Sequence, residues 1–166
     1  MSLISISESA FFNRRSQTPQ SMRYSLPSAS HLSDRTPSTI YEAWKGVARS
    51  FQGALTEAVR EAAHVGWDGQ GSNAADVGAL TRVMDFLEAL PDDFPFPDPS
   101  VAPNGDILLE WSKSPQLSLA VLLGSVGQIH YSSYIRGLKT YGTFDFVGDE
   151  LSQEFVVVAT RWWQSK

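Results

Sequence analysis

From Thr39 onward, apolar residues recur at spacings of three and four: Tyr41, Trp44, Ala48, Phe51, Leu55, Val59 and Ala62. They form one stripe of an amphipathic helix, and Lys45, Arg49, Gln52, Arg60 and Glu61 lie off it. Thr39 and Glu42 have the spacing of a capping box, and Gly66 is a natural stop. A glycine-rich turn follows, Gly66-Trp67-Asp68-Gly69-Gln70-Gly71-Ser72-Asn73. Its glycines permit positive φ or close approach. Asn73, with Asp76 at the third position, is placed to cap a second helix carrying Val77, Leu80, Val83, Met84, Leu87 and Leu90. Pro91 ends that helix, and the prolines of residues 91–99 predict an extended connector.

The period then falls to two. Ile107, Leu109 and Trp111 alternate with Leu108 and Glu110; Leu117, Leu119, Val121 and Leu123 alternate with Ser118, Ala120 and Leu122. Ile129, Tyr131 and Ile135 alternate with His130, Ser132, Tyr134 and Arg136. Asn104-Gly105 suits a type I′ hairpin between a short strand at 100–103 and the strand from Asp106. Gly124-Ser125-Val126-Gly127 joins the next pair, Gly137 bends or ends the fourth strand, and residues 140–147 read as a fifth. Val156-Val157-Val158 has strand propensity, but Leu151, Phe155, Val158 and Trp162 form a helical stripe, which we follow. The expected fold is α+β: an antiparallel β-meander of four to five strands, with two N-terminal helices and one C-terminal helix packed on it.

Composition divides the chain. Residues 1–38 hold eleven serines, three prolines and no lasting period, which predicts a disordered or partner-ordered Ser/Arg-rich arm. Residues 39–166 are expected to form a single α+β domain. The arm's four arginines, against Glu8 and Asp34, make it +2. The remaining nine cations and sixteen carboxylates make the body −7. Phe11, Phe12, Met22, Tyr24 and Leu26 are candidate anchors of an arm that folds on contact, with Arg14 and Arg15 beside them. The same composition also suits a targeting segment, although no apolar core of an export signal follows a basic start.

The 166 residues include no cysteine, so disulfides, thiolate metal sites and cysteine nucleophiles are excluded. The histidines are His31, His64 and His130. A formal charge of −5 argues against a general nucleic-acid binder. No apolar run approaches the ~20 residues of a membrane span. No phosphate-binding loop, nucleophile elbow or zinc-protease helix is present. No cofactor or metal is expected.

The candidate chemistry is sparse. Asp68 reads either as a loop-borne base or as the acceptor of an Asx turn beneath a core-plugging Trp67. Glu110 and His130 could share the outward sheet face, the minimum for acid–base work, or simply belong to a solvated face. Tyr134, Arg136, Tyr141 and Trp163 are residue types favoured in interfaces.

The turn Trp67-Asp68-Gly69-Gln70-Gly71, the helix end Phe86-Leu87-Glu88-Ala89-Leu90-Pro91 and the segment Pro103-Asn104-Gly105-Asp106-Ile107-Leu108-Leu109-Glu110-Trp111 resemble those of a group of small bacterial accessory-genome proteins. The resemblance covers roughly residues 40–165. It implies a bacterial source and a setting among mobile elements, toxin–antitoxin or defence loci, and it carries over no activity. Ser72 stands where the pattern has Ala.

The expectation drawn from this sequence is a cytoplasmic, non-enzymatic interaction protein of antitoxin, immunity or inhibitor type. It would bind a protein partner through its acidic body and basic arm. The alternatives are a small hydrolase or transferase using Asp68, Glu110 and His130, or an exported effector.

Overall fold

The computed structural model describes residues 37–91, 93–148 and 150–165, with side chains from Gly46 onward. Helix α1 spans Pro37–Glu61, α2 Ala79–Ala89 and α3 Gln153–Gln164. Between α2 and α3 run β1 (Asp98–Val101), β2 (Ile107–Ser114), β3 (Leu117–Leu123), β4 (Ile129–Ile135) and β5 (Leu138–Phe144). The strands form one antiparallel sheet in the order β1-β2-β3-β4-β5, so the meander and its flanking helices give the α+β class.

Alternation decides which face is buried, because successive strand side chains point to opposite sides. Ile107, Leu109, Trp111, Leu119, Val121, Leu123, Ile129 and Tyr131 line the core face. Helix α1 contacts β1, α2 contacts β2 and β3, and α3 contacts β3 and β4. Rings dominate the packing. Phe155 of α3 touches Phe86 of α2, Tyr131 and Phe144 at centroid distances of 5.3–5.6 Å. Phe94 contacts Trp111 and Trp162, and Phe51 of α1 stacks on Phe96. The Trp111 indole N–H donates to the Pro95 carbonyl at 2.7 Å, which satisfies a polar atom buried with its ring.

Several boundaries differ from the sequence expectation. Helix α1 begins at Pro37, so Thr39 lies inside it rather than capping it. A proline suits a first turn, where its missing N–H has no helical partner. Helix α2 begins at Ala79, not after Asn73. Residues 73–76 are drawn into the β1–β2 turn instead. The Asn73 N–H donates to the Pro103 carbonyl at 2.8 Å, and the Asp76 N–H to the Gly105 carbonyl at 2.7 Å. Val77, expected in the core stripe, is 63% exposed.

Strand β1 starts at Asp98 and includes Pro99, which an edge strand tolerates. The Asn104-Gly105 hairpin is not a two-residue type I′ turn. The Gly105 N–H donates to Ala102, the Ala102 N–H donates to Asp106, and only Gly105 has positive φ, +92°. That is a three-residue loop, a turn closed by a left-handed glycine. The two consecutive positive φ values fall at Arg136 (50°) and Gly137 (89°), the tight link from β4 to β5. This link ends β4 at Ile135 and starts β5 at Leu138, two residues earlier than the expected fifth strand. The C-terminal segment is the expected helix, capped by Ser152, whose hydroxyl accepts the Phe155 N–H at 3.1 Å.

Candidate interaction surface

Among the described residues, no helix or strand covers the face of the sheet turned away from the helices, and the strand register maps it. One row runs Asp98, Glu110, Ala120, Ser132 and Tyr141 from β1 to β5. Beside it run Ser100, Leu108, Leu122, His130 and Thr143. On the other side run Ser112, Ser118, Tyr134 and Lys139. Leu108, Ala120, Leu122 and Tyr134 are half-buried by their neighbours, while Tyr141 is 82% exposed. The surface therefore has a carboxylate edge on β1 and β2, an apolar centre, and an aromatic, cationic margin on β4 and β5. The Lys139 ammonium sits 6.0 Å from the Tyr134 ring centroid.

Asp98 and Glu110 are directly opposite across the β1–β2 ladder, and both are exposed. Like charges at paired strand positions repel and are destabilising. Among the described residues, neither forms a salt bridge.

The candidate acid–base groups are spread out. Glu110 and His130 do share this face, but β3 lies between them and they are offset by two residues along the strands. Strand spacing and rise put them about 12 Å apart. Asp68 lies in the loop before α2, where its Oδ1 accepts the Gln70 N–H at 2.8 Å and the Ser72 N–H at 3.3 Å. The Gln70 N–H, followed by further hydrogen bonds, holds the carboxyl below the usual aspartate range. This is the Asx-turn arrangement. The Trp67 indole donates to the Asn73 carbonyl at 3.0 Å and packs against the core.

Of the interface candidates, Tyr134 and Tyr141 lie on the open face. Arg136 occupies the β4–β5 turn with φ +50°, not an outward strand position as its place in the alternation suggested. Trp163 is half-buried on the helical side, 5.7 Å from Phe94. Phe11, Phe12, Arg14, Arg15 and Tyr24 lie outside the described residues. Among the described residues, no three His, Asp or Glu cluster as metal ligands, and no helix is long and apolar enough to cross a membrane.

Two clusters escaped the sequence reading. At the turn end of the sheet, Asp76 Oδ2 accepts the Ser125 N–H at 2.7 Å and Oδ1 the Gly78 N–H at 3.1 Å. The Ser125 N–H is the main cause that lowers the Asp76 pKa. Arg82 donates to the Gly124 and Gly127 carbonyls at 3.1 and 2.5 Å, and the Asn73 amide donates to the Asn104 carbonyl at 3.1 Å. The two motifs singled out in the sequence, the Trp67-Asp68-Gly69 turn and the Asn104-Gly105 hairpin, are thus clasped together through Asn73 and Asp76. At the other cluster, Lys113 donates to the carbonyls of Trp163 and Ser165 at 2.7 and 3.0 Å, with its ammonium 4.7 and 5.0 Å from the Trp162 and Trp163 ring centroids. Little in the sequence beyond the residue types themselves signals these clusters, because their long-range contacts join residues 31–52 positions apart. No protein-family model, curated protein or solved structure matches this chain.

Proposed function

We propose that this chain is a non-enzymatic protein-binding module that uses the open face of its sheet. The observation that carries the reading is the layout of that face: Leu108, Ala120 and Leu122 at the centre, Tyr134 and Tyr141 on one margin, and the Asp98–Glu110 pair on the other. Apolar centre, aromatic anchors and polar rim are the anatomy of an interface. The unpaired carboxylates favour a partner with basic groups, and the acidic body steers such a partner in. Within this reading we favour an antitoxin, immunity or inhibitor role in the cytoplasm, in keeping with the resemblance of the Trp67–Gly71 turn and the Pro103–Trp111 segment to those of small bacterial accessory-genome proteins. The spacing of Glu110 from His130 and the engagement of Asp68 in its own loop favour binding over hydrolase or transferase chemistry, since acid and base must act on one reacting group.

The test is affinity capture from source cells with the full chain and with Leu122→Asp, whose folding is checked by circular dichroism. Stoichiometric capture of one protein by the parent, lost in the variant, supports the reading. Capture of nothing, or equal capture by both, overturns it.

A further inference from the structure

The open face also has a candidate occupant within the same chain. Residues 1–36 precede α1, and they include Phe11-Phe12 followed by Arg14-Arg15. That order matches the face: an apolar centre at Leu108, Ala120 and Leu122, then the carboxylates of Glu110 and Asp98 one strand repeat away. Leu108 and Glu110 are two residues apart on β2, about 7 Å, a separation that Phe12 and Arg15 easily span.

Reach is sufficient. Phe51 of α1 stacks on Phe96, two residues before Asp98. Pro37 lies fourteen residues before Phe51 along the helix, about 21 Å. The twenty-one residues between Arg15 and Pro37 can extend about 70 Å, several times what the path back to the sheet requires. Tethering makes the encounter intramolecular, so a contact too weak to hold between separate molecules becomes populated. Charge agrees as well, +2 on the arm against −7 on the body. Two guanidinium groups would relieve the repulsion between two facing carboxylates that have no cation among the described residues.

We propose that Phe11–Arg15 dock in cis on the open sheet face, the aromatic pair over Leu108, Ala120 and Leu122 and the arginine pair at Asp98 and Glu110, so that a partner must displace the arm. This rests on the reading of that face as a binding surface and adds its regulation.

The chain has no cysteine, so a single Ser132→Cys substitution in the full-length protein gives one nitroxide label in the middle of the face. The expected NMR result is strong broadening of the Phe11–Arg15 amides, with much weaker broadening of residues 28–33. The Arg14→Glu, Arg15→Glu double variant should reduce it severalfold, and added salt should weaken it. Weak, even broadening along residues 1–36, or broadening unchanged by the double variant, would overturn the proposal. So would broadening that appears only when labelled and isotope-enriched molecules are mixed, because that reports a second copy. Partner capture reads the face independently: it can succeed where the arm contact is absent, and the arm contact can exist where capture fails.

Discussion

The Asp76 carboxylate accepts the backbone N–H of Ser125 at 2.7 Å and so joins the loop before α2 to the β3–β4 turn, forty-nine residues away. The same side chain accepts the Gly78 N–H. Asp76→Ala leaves both donors without their carboxylate. The expected loss is about 1 kcal/mol, less than the usual ~1.5–3 kcal/mol for a hydrogen bond to a charged group because the site is partly exposed. The bonds lower the Asp76 pKa in the folded state. Its contribution is therefore present above the unfolded value and is lost as the pH falls from about 3.8 through the folded pKa. Urea melts at pH 7 and at pH 3 should show a smaller acid-induced loss of stability in Asp76→Asn than in the parent.

Gly105 is fixed twice over. Its φ is +92°, and a Cβ there would lie 2.5 Å from the Ala74 carbonyl oxygen. Gly127 has a similar φ, +82°, but open space around the same position. Gly127→Ala should therefore cost only the left-handed backbone penalty, roughly 1–2 kcal/mol. Gly105→Ala adds a backbone clash and should cost clearly more. Chemical denaturation of the two variants side by side separates the terms.

The contrast between local and distant terms explains what could be read in advance. The meander was legible because Ile107, Leu109 and Trp111, then Leu117, Leu119, Val121 and Leu123, then Ile129, Tyr131 and Ile135 keep even spacings, a period that persists although Leu108, Ala120 and Leu122 are apolar on the outward side and Ser133 is polar on the inward one. The α3 stripe was legible despite three valines because Leu151, Phe155, Val158 and Trp162 outweigh β propensity. The start of α2 was not, because Asn73 and Asp76 are good caps by local chemistry but bond to Pro103, Asn104 and Gly105 across the fold. The open face followed from the same alternation as the core. That Asp98 opposes Glu110 did not, because it depends on where β1 begins and on a three-residue loop read as two.

Lys113 crosses from the sheet to the C-terminal end of α3. Its ammonium meets the carbonyls of Trp163 and Ser165 and lies near two indole rings, and burial lowers its pKa. A cation at this end also opposes the negative pole of the helix. Lys113→Met keeps much of the stem and removes the charge. The expected loss is about 1–2 kcal/mol. Lys139→Met, at an exposed strand position 6.0 Å from one ring, should change stability by under about 0.5 kcal/mol. Thermal or urea unfolding of both variants measures the difference.

Asn104-Gly105 is chemically the most labile dipeptide in the described chain, because a glycine nitrogen can attack the preceding asparagine amide and expel ammonia. The fold opposes that reaction. The Asn104 Oδ1 accepts the Asp106 N–H at 3.2 Å, and its Nδ2 donates to Asp106 Oδ2 at 2.7 Å. The nucleophile is also engaged, since the buried Gly105 donates its N–H to the Ala102 carbonyl at 2.8 Å. Deamidation at mildly alkaline pH should therefore run much more slowly in the native protein than in denaturant. Asp106→Ala, which frees the amide nitrogen but leaves the backbone donors in place, should fall between them. Peptide mass mapping over time measures all three. Equal rates in the native and denatured chain would mean that the turn opens readily, and that the clasp joining it to Asn73 and Asp76 is far weaker than its hydrogen bonds imply.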